Sequence, residues 1–363
     1  MRFIPKIRKG IARMKRNLLA LAVGVAFILP LAAQAAPTVY GRLNLSVDYM
    51  DEATSAPSVD GKVWKLNSNA SRVGVKGNEK LTDELTAVYK AEWDVKGDIG
   101  GADLVARERY IGLKHYQWGT VRLGHIDSPF KNSEDSIDVF NDMANLDMGK
   151  FLYGQNRLDN SINYVSPKFL DVFGANLTLQ PGEKSGSGNC GAANTVFSLD
   201  PTTGLVTSST TKSNDCENHI ADAISLALSY EDDSLYLSAA MDKEVADMDA
   251  MRFVARYKMS DFTVSAMFQT AEPTVNKMSK KQDSMMLSGS YNMGSVAVRG
   301  EVLLVTDSAA SLDNNTMLIG AGVDYNFTQS TKAFVNLALK NQEKTGGSAE
   351  DSTYLGFGME TRF

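Results

Sequence analysis

Six carboxylates, Asp127, Glu134, Asp135, Asp138, Asp142 and Asp147, fall between His125 and Arg157 against only Lys131 and Lys150, with Phe130, Phe140, Phe151 and Tyr153 spaced among them. Outside that stretch the first third of the chain offers arginines: Arg42, Arg72, Arg107, Arg109 and Arg122, with Arg157 at its far end. Acids on one side of a narrow opening and bases on the other create a transverse field, which orients dipolar solutes and sets ionic preference. The same inventory offers little to a reaction. His115, His125 and His219 lie far apart, and neither a His-Glu-x-x-His helix nor a Gly-x-Ser-x-Gly elbow is present. A Ser-His-acid constellation has few ways to form, so the chain is read as no enzyme. Gly186-Ser187-Gly188-Asn189-Cys190-Gly191 formally matches the dinucleotide fingerprint, but no strand leads into it within a βαβ unit and no helix follows. Cys190 and Cys216, with His219 nearby, make no standard metal spacing. In an oxidising compartment the pair reads as a disulfide staple of one polar loop, with free thiols the alternative. No cofactor and no metal are expected.

Those charges need a frame. A connection of roughly thirty residues inside a compact domain is functional or disordered, and the aromatics of 125–157 argue against disorder. On both sides of it the chain alternates. Val39, Gly41, Leu43, Leu45, Val47 and Tyr49 interleave with Tyr40, Arg42, Asn44, Ser46 and Asp48. The same period of two returns in Leu85-Ala87-Tyr89-Ala91-Trp93, in Phe253-Ala255-Tyr257 beside Arg252 and Arg256, in Val296-Val298-Gly300-Val302-Leu304 beside Arg299 and Glu301, and in the terminal Leu355-Phe357-Met359-Thr361-Phe363. About sixteen such segments are joined alternately by short turns (Ser166-Pro167-Lys168, Glu231-Asp232-Asp233, Met293-Gly294-Ser295, Thr328-Gln329-Ser330) and by longer polar links. The longer links run over 51–61, 181–217, 271–282 and 341–350. This hairpin rhythm predicts an all-β chain, a 16-stranded antiparallel transmembrane barrel with short periplasmic turns and long external loops. A soluble sandwich would alternate too. Aromatics near strand ends (Tyr40, Tyr49, Tyr164, Tyr230, Tyr257, Tyr291, Tyr325, Phe327, Phe363) favour the barrel, because they suit an interfacial girdle. By spacing of two, Arg107 and Arg109 are expected to point together into the lumen.

The first 35 residues read as a secretory signal: a basic start, an apolar run from Leu18 to Leu29, and Ala33-Gln34-Ala35 as the cleavage box. Met14, followed by Lys15-Arg16, would begin an equally complete signal. Its loss removes seven basic residues and no acid, leaving 30 Lys plus Arg against 43 Asp plus Glu, a charge of −13 on residues 36–363. That balance disfavours nucleic acid as a partner, since phosphate binding needs a basic face.

Five segments carry a family likeness: Ser71-Arg72-Val73-Gly74-Val75-Lys76-Gly77, Tyr110-Ile111-Gly112-Leu113, Gly119-Thr120-Val121-Arg122-Leu123-Gly124, Arg157-Leu158-Asp159-Asn160-Ser161-Ile162-Asn163-Tyr164 and the final Phe363. In that order, over essentially the whole exported chain, they resemble the Gram-negative general porins. The resemblance implies a sixteen-stranded barrel, a homotrimer and a third external loop, residues 125–157, folded inward as a constriction. It also implies an outer-membrane home among lipid and lipopolysaccharide, and assembly machinery that reads the strand ending in Phe363. The loop lacks the Pro-Glu-Phe-Gly-Gly tip of the enteric branch and reads Met143-Ala144-Asn145-Leu146-Asp147-Met148-Gly149-Lys150, closer to other proteobacteria. The expected function is passive diffusion of ions and small hydrophilic solutes with mild cation preference. Glu134, Asp135, Asp138, Asp142 and Asp147 would face Arg42, Arg72, Arg107, Arg109, Arg122 and Arg157, while Asp127 and Asp159 cap the loop's ends. A barrel whose loops, above all 181–218, form an adhesive surface is the alternative from another class, and a substrate-specific channel is a third.

Overall fold

The computed structural model describes residues 36–52, 61–100, 104–182, 194–199, 206–211, 219–274, 281–309, 312–344 and 349–363. The signal segment and both cysteines, Cys190 and Cys216, lie outside them.

Sixteen antiparallel strands follow one another around a closed sheet. They are β1 (Thr38–Asp51), β2 (Lys62–Ser68 and Arg72–Lys80, one strand interrupted at 69–71), β3 (Leu85–Val95), β4 (Leu104–His115), β5 (Gly119–Asp127), β6 (Arg157–Val165), β7 (Phe173–Gln180) and β8 (Ala223–Glu231). The series continues with β9 (Leu235–Val245), β10 (Met248–Met259), β11 (Phe262–Pro273), β12 (Lys281–Met293), β13 (Val296–Ala309), β14 (Leu312–Asn326), β15 (Thr331–Lys344) and β16 (Glu350–Arg362). Closure comes from β1 against β16, where Arg42 stands opposite Arg362 and Asp51 opposite Thr353. Phe363 finishes the seam, its N–H donating to the Gly41 carbonyl and its carbonyl accepting from the Gly41 N–H. A separate two-stranded hairpin, 194–199 with 206–211, lies within the long 181–218 connection.

The alternation sorts side chains inside out. Leu43, Phe253, Leu287, Leu337 and Phe357 are exposed, while Asn44, Ser46, Gln269, Ser288 and Asn336 on the opposite faces are buried. A closed ladder with apolar residues outside and polar ones inside is the arrangement a bilayer demands, because it leaves no backbone group unpaired toward lipid. The expected short turns all lie at one end of the strands. At the other end two links are shorter than the pattern suggests, since β11 runs to Pro273 and β15 to Lys344. There the backbone ladder continues past the point where the side chains stop alternating. The girdle expectation fails for Tyr40, whose hydroxyl donates to Glu92 Oε2 at 2.7 Å on the inner face. Tyr257, Tyr291, Tyr325 and Phe327 are exposed.

The lumen is not lined uniformly. The inner faces of β9 to β16 carry Tyr236, Val254, Met267, Met286, Leu303, Leu318, Phe334 and Ala338, all buried against Ile137, Phe140, Met143, Leu146, Met148 and Leu152. The long third loop therefore covers a half of the inner wall where apolar side chains are interspersed with buried polar ones such as Arg252, Gln269 and Ser288. The polar remainder of the lumen lies along β1 to β6.

Candidate functional site

The loop leaves β5 through Ser128, whose hydroxyl accepts the Lys131 N–H at 3.0 Å and caps a single helical turn, α1 (Pro129–Asn132). Pro129 suits the first helical position, where a missing N–H costs nothing. Phe130 is fully buried and its N–H donates to Ser225 Oγ on β8. Farther along, Asp147 caps a 3-10 turn (Met148–Lys150), accepting the N–H groups of Gly149 at 2.6 Å and Asp142 at 2.9 Å. Asp138 accepts the N–H groups of Phe140 and Met148 at 2.8 and 2.9 Å, one on each carboxylate oxygen. These two acids fold the loop on itself.

Arginines of the covered wall fix the loop in place. Arg252 on β10 is fully buried. Its Nε donates to Gln269 Oε1 at 2.8 Å, Nη1 to the Phe130 carbonyl and to Glu134 Oε2 at 3.1 and 3.3 Å, and Nη2 to the Tyr153 carbonyl at 3.3 Å. Its guanidinium stacks 4.4 Å from the Phe130 ring centre. One side chain thus holds both roots of the loop. Glu134 is its counter-ion and also accepts from Gln155 Nε2. Arg256 pairs with Asp135, and Arg299 donates to the Val139 carbonyl with its guanidinium 4.7 Å from the Phe140 ring. Phe140 and Leu146 lie so close to β14 that a Cβ on Gly320 would stand 2.6 Å from Leu146, and one on Gly322 would stand 2.7 Å from Phe140.

Between the loop and the β2 to β4 wall lies a cavity of about 310 Å³, lined by Arg72 and Arg107 and by Asp127, Lys131, Glu134, Asp135, Asn141, Asp142, Asp147 and Gln155. Arg42 reaches Asp142 at 2.6 Å, and Arg72 reaches the same carboxylate at 3.5 Å. Arg42 is itself held by the carbonyls of Asn69 and Ala70, in the interruption of β2, and lies 3.6 Å from Glu360. Arg107 binds Glu92 at 2.6 Å and Asp94 at 3.0 Å, and Lys90 binds Glu108 at 2.6 Å. Arg157 and Lys131 share Asp127 at 2.6 and 3.2 Å. Burial pushes Glu134 and Asp147 above the usual carboxylate range. Burial, reinforced by the charge of Asp147, pushes Asp138 up to about 8.

A profile of Gram-negative porins matches residues 20–345, spanning β1 to β15 and this loop. The chain belongs to the Gram-negative porin family. It is 25% identical to the major outer membrane protein P.IB of Neisseria sicca over 374 aligned residues, 96% of this chain and 100% of that one. Among solved structures, an anion-selective porin from Comamonas acidovorans superposes with a TM-score of 0.69 at 20% identity, over 90% of this chain and 99% of that one. The trimer form of OmpT from Vibrio cholerae superposes with a TM-score of 0.61 at 16% identity, over 91% and 100%. At such identities the structures speak to the fold alone.

Within the porin, the anticipated charges divide. Arg42, Arg72 and Arg107 gather on the wall facing the loop, and Asp135 and Asp142 lie at the loop's surface, both with positive φ. Asp138 and Asp147 do the capping expected of Asp127 and Asp159. Asp127 instead joins the cavity, and Asp159 Oδ1 accepts from His125 Nδ1 at 2.6 Å on the outside. Arg122 donates to Asn163 and stacks over Tyr110, partners of the wall and not of the loop. Arg109 does not share the face of Arg107. A β-bulge sets Arg107 and Glu108 together opposite Glu92, since Ala91 pairs with Arg109 but Trp93 with Ala106. Arg107 and Glu108 both reach the inner face, and Arg109 turns outward. Arg252, Arg256, Arg299 and Glu92 are legible in the sequence only as polar-face residues, and Glu108 is missed, because strict alternation sets it on the face opposite Arg107. No local signal marked which polar faces the loop would cover.

Proposed function

We propose that this porin is an outer-membrane diffusion channel for ions and small hydrophilic solutes, mildly cation-preferring and assembled as a homotrimer. The observation carrying this reading is the cavity between loop and wall, where five carboxylates (Asp127, Glu134, Asp135, Asp142, Asp147) share a rim with three cations (Arg72, Arg107, Lys131). Opposed charges at a narrow point favour solutes that keep their hydration or carry a dipole. Most of these charges are already paired, so the residual selectivity is weak. The loop, pinned over the β9 to β16 half of the wall, would narrow the lumen to this polar side. The anion selectivity of the Comamonas acidovorans porin belongs to that protein, and a shared fold does not carry a charge pattern with it.

Support for a trimer comes from the trimer form of the Vibrio cholerae neighbour. Export by a cleaved signal and assembly through the strand ending at Phe363 complete the reading. Reversal potentials in a salt gradient across a planar bilayer test it. A cation-side potential of a few millivolts is expected, and an anion-side potential would overturn the preference. Absence of any conductance would overturn the channel.

A further inference from the structure

The bulge in β4 leaves one arginine outside the channel. Arg109 stands opposite Ala91 on β3 and His125 on β5, on the outer face it shares with Ile111, Leu113 and Leu123. Ile111 below it is 64% exposed, and Leu104 and Val105 above it are 62% and 53% exposed. Arg109 therefore sits within the apolar band, whereas outward charges such as Lys243, Glu272 and Asp351 occur at strand ends. Among the described residues it has no hydrogen-bond or ion-pair partner. Next to it, His125 Nδ1 lies 2.6 Å from Asp159 Oδ1, and the Asp159 side chain is 73% exposed. A second bulge, between the pairs Gly124 with Ser161 and Ile126 with Leu158, turns this neighbour outward as well.

Two bulges, one between β3 and β4 and one between β5 and β6, thus place a polar row across β4, β5 and β6 on a surface that is otherwise oily. A lone guanidinium facing hydrocarbon is strongly unfavourable, and intramembrane ionisable groups find partners. Lipid phosphates lie outside a bilayer's hydrocarbon core, whereas Arg109 stands among exposed apolar side chains. A protein surface can bring a carboxylate to that depth. The row also carries both signs, Arg109 at one end and the exposed Asp159 at the other, so the basic end of one copy suits an acidic group of the next, as a head-to-tail ring requires.

We propose that Arg109, His125 and Asp159 form a subunit contact, in which Arg109 binds a carboxylate of a second copy of this chain. The inference rests on the homotrimer reading and places the contact on it. The decisive experiment installs a photo-crosslinking phenylalanine derivative at position 109 of the full-length porin in its membrane. Irradiation is expected to give an adduct of two chains. An adduct with lipopolysaccharide or phospholipid alone, or no adduct, overturns the contact. In parallel, Arg109→Ala should lower the temperature at which the oligomer dissociates on unheated gels, by roughly 5 °C, with Arg109→Lys intermediate. The folded monomer's mobility and its channel conductance should stay unchanged. A wild-type protein that runs as a monomer defeats the trimer reading itself. A trimer whose dissociation ignores Arg109→Ala defeats only this contact.

Discussion

At the scale of single residues, the porin's loop depends on a buried cation that touches no solute path. Arg252 satisfies the Phe130 and Tyr153 carbonyls and the Glu134 carboxylate together. Arg252→Ala leaves Glu134 buried without its counter-ion, a change that typically costs about 3–5 kcal/mol. Because the barrel ladder does not pass through Arg252's side chain, the cost should fall on the loop. Noisier single-channel currents with an intact heat-modifiable barrel are the expected result, and a quiet channel of wild-type conductance would contradict it. Asp138 gives the loop a pH response. Its carboxyl is raised to about 8 by burial first and by Asp147 second. From the ordinary carboxylate range up to about 8 the folded loop therefore holds a proton that the unfolded chain does not. This contribution is complete at low pH and is lost as pH rises through about 8. Current fluctuations should grow across that window and flatten in Asp138→Asn.

At the scale of elements, the loop and the half-wall beneath it are one packed unit. Phe140 and Leu146 close onto β14 where Gly320 and Gly322 leave room. Gly320→Val forces its side chain into Leu146, an overpacking of about 1–3 kcal/mol, and the loop can only yield toward the cavity. Conductance and uptake of small sugars by liposomes should fall together; unchanged values would mean the loop does not narrow the lumen. Strand register shows how far a pattern can be read. Period two located β1, β10, β13 and β16, yet it put Arg107 and Arg109 on one face. One extra residue in β4 against β3 changed that. A bulge shifts backbone pairing without altering the local alternation that a reader of the sequence sees.

At the scale of the whole molecule, exposed apolar and enclosed polar side chains mean that the barrel is stable only in a low-dielectric surround. Without detergent the purified chain should aggregate. Reconstituted into a planar bilayer, it should close in three equal conductance steps under high voltage. A single step would indicate an independent pore.

The sequence by itself determined the strands, their number, the outward face of most of them and the long acidic loop, because each is written in near-neighbour spacing that the pleat converts directly into two faces. The likeness to porins was legible in short segments of that same frame. Only the tertiary structure decided which acids meet which bases. Asp142 lies 100 positions from Arg42, and Glu134 lies 118 from Arg252. Contacts at such separations follow from how the loop's apolar side chains bury against β9 to β16, a long-range packing that no local pattern encodes. The same packing turned Asp138 and Asp147 into caps, and the bulge sent Arg109 outward.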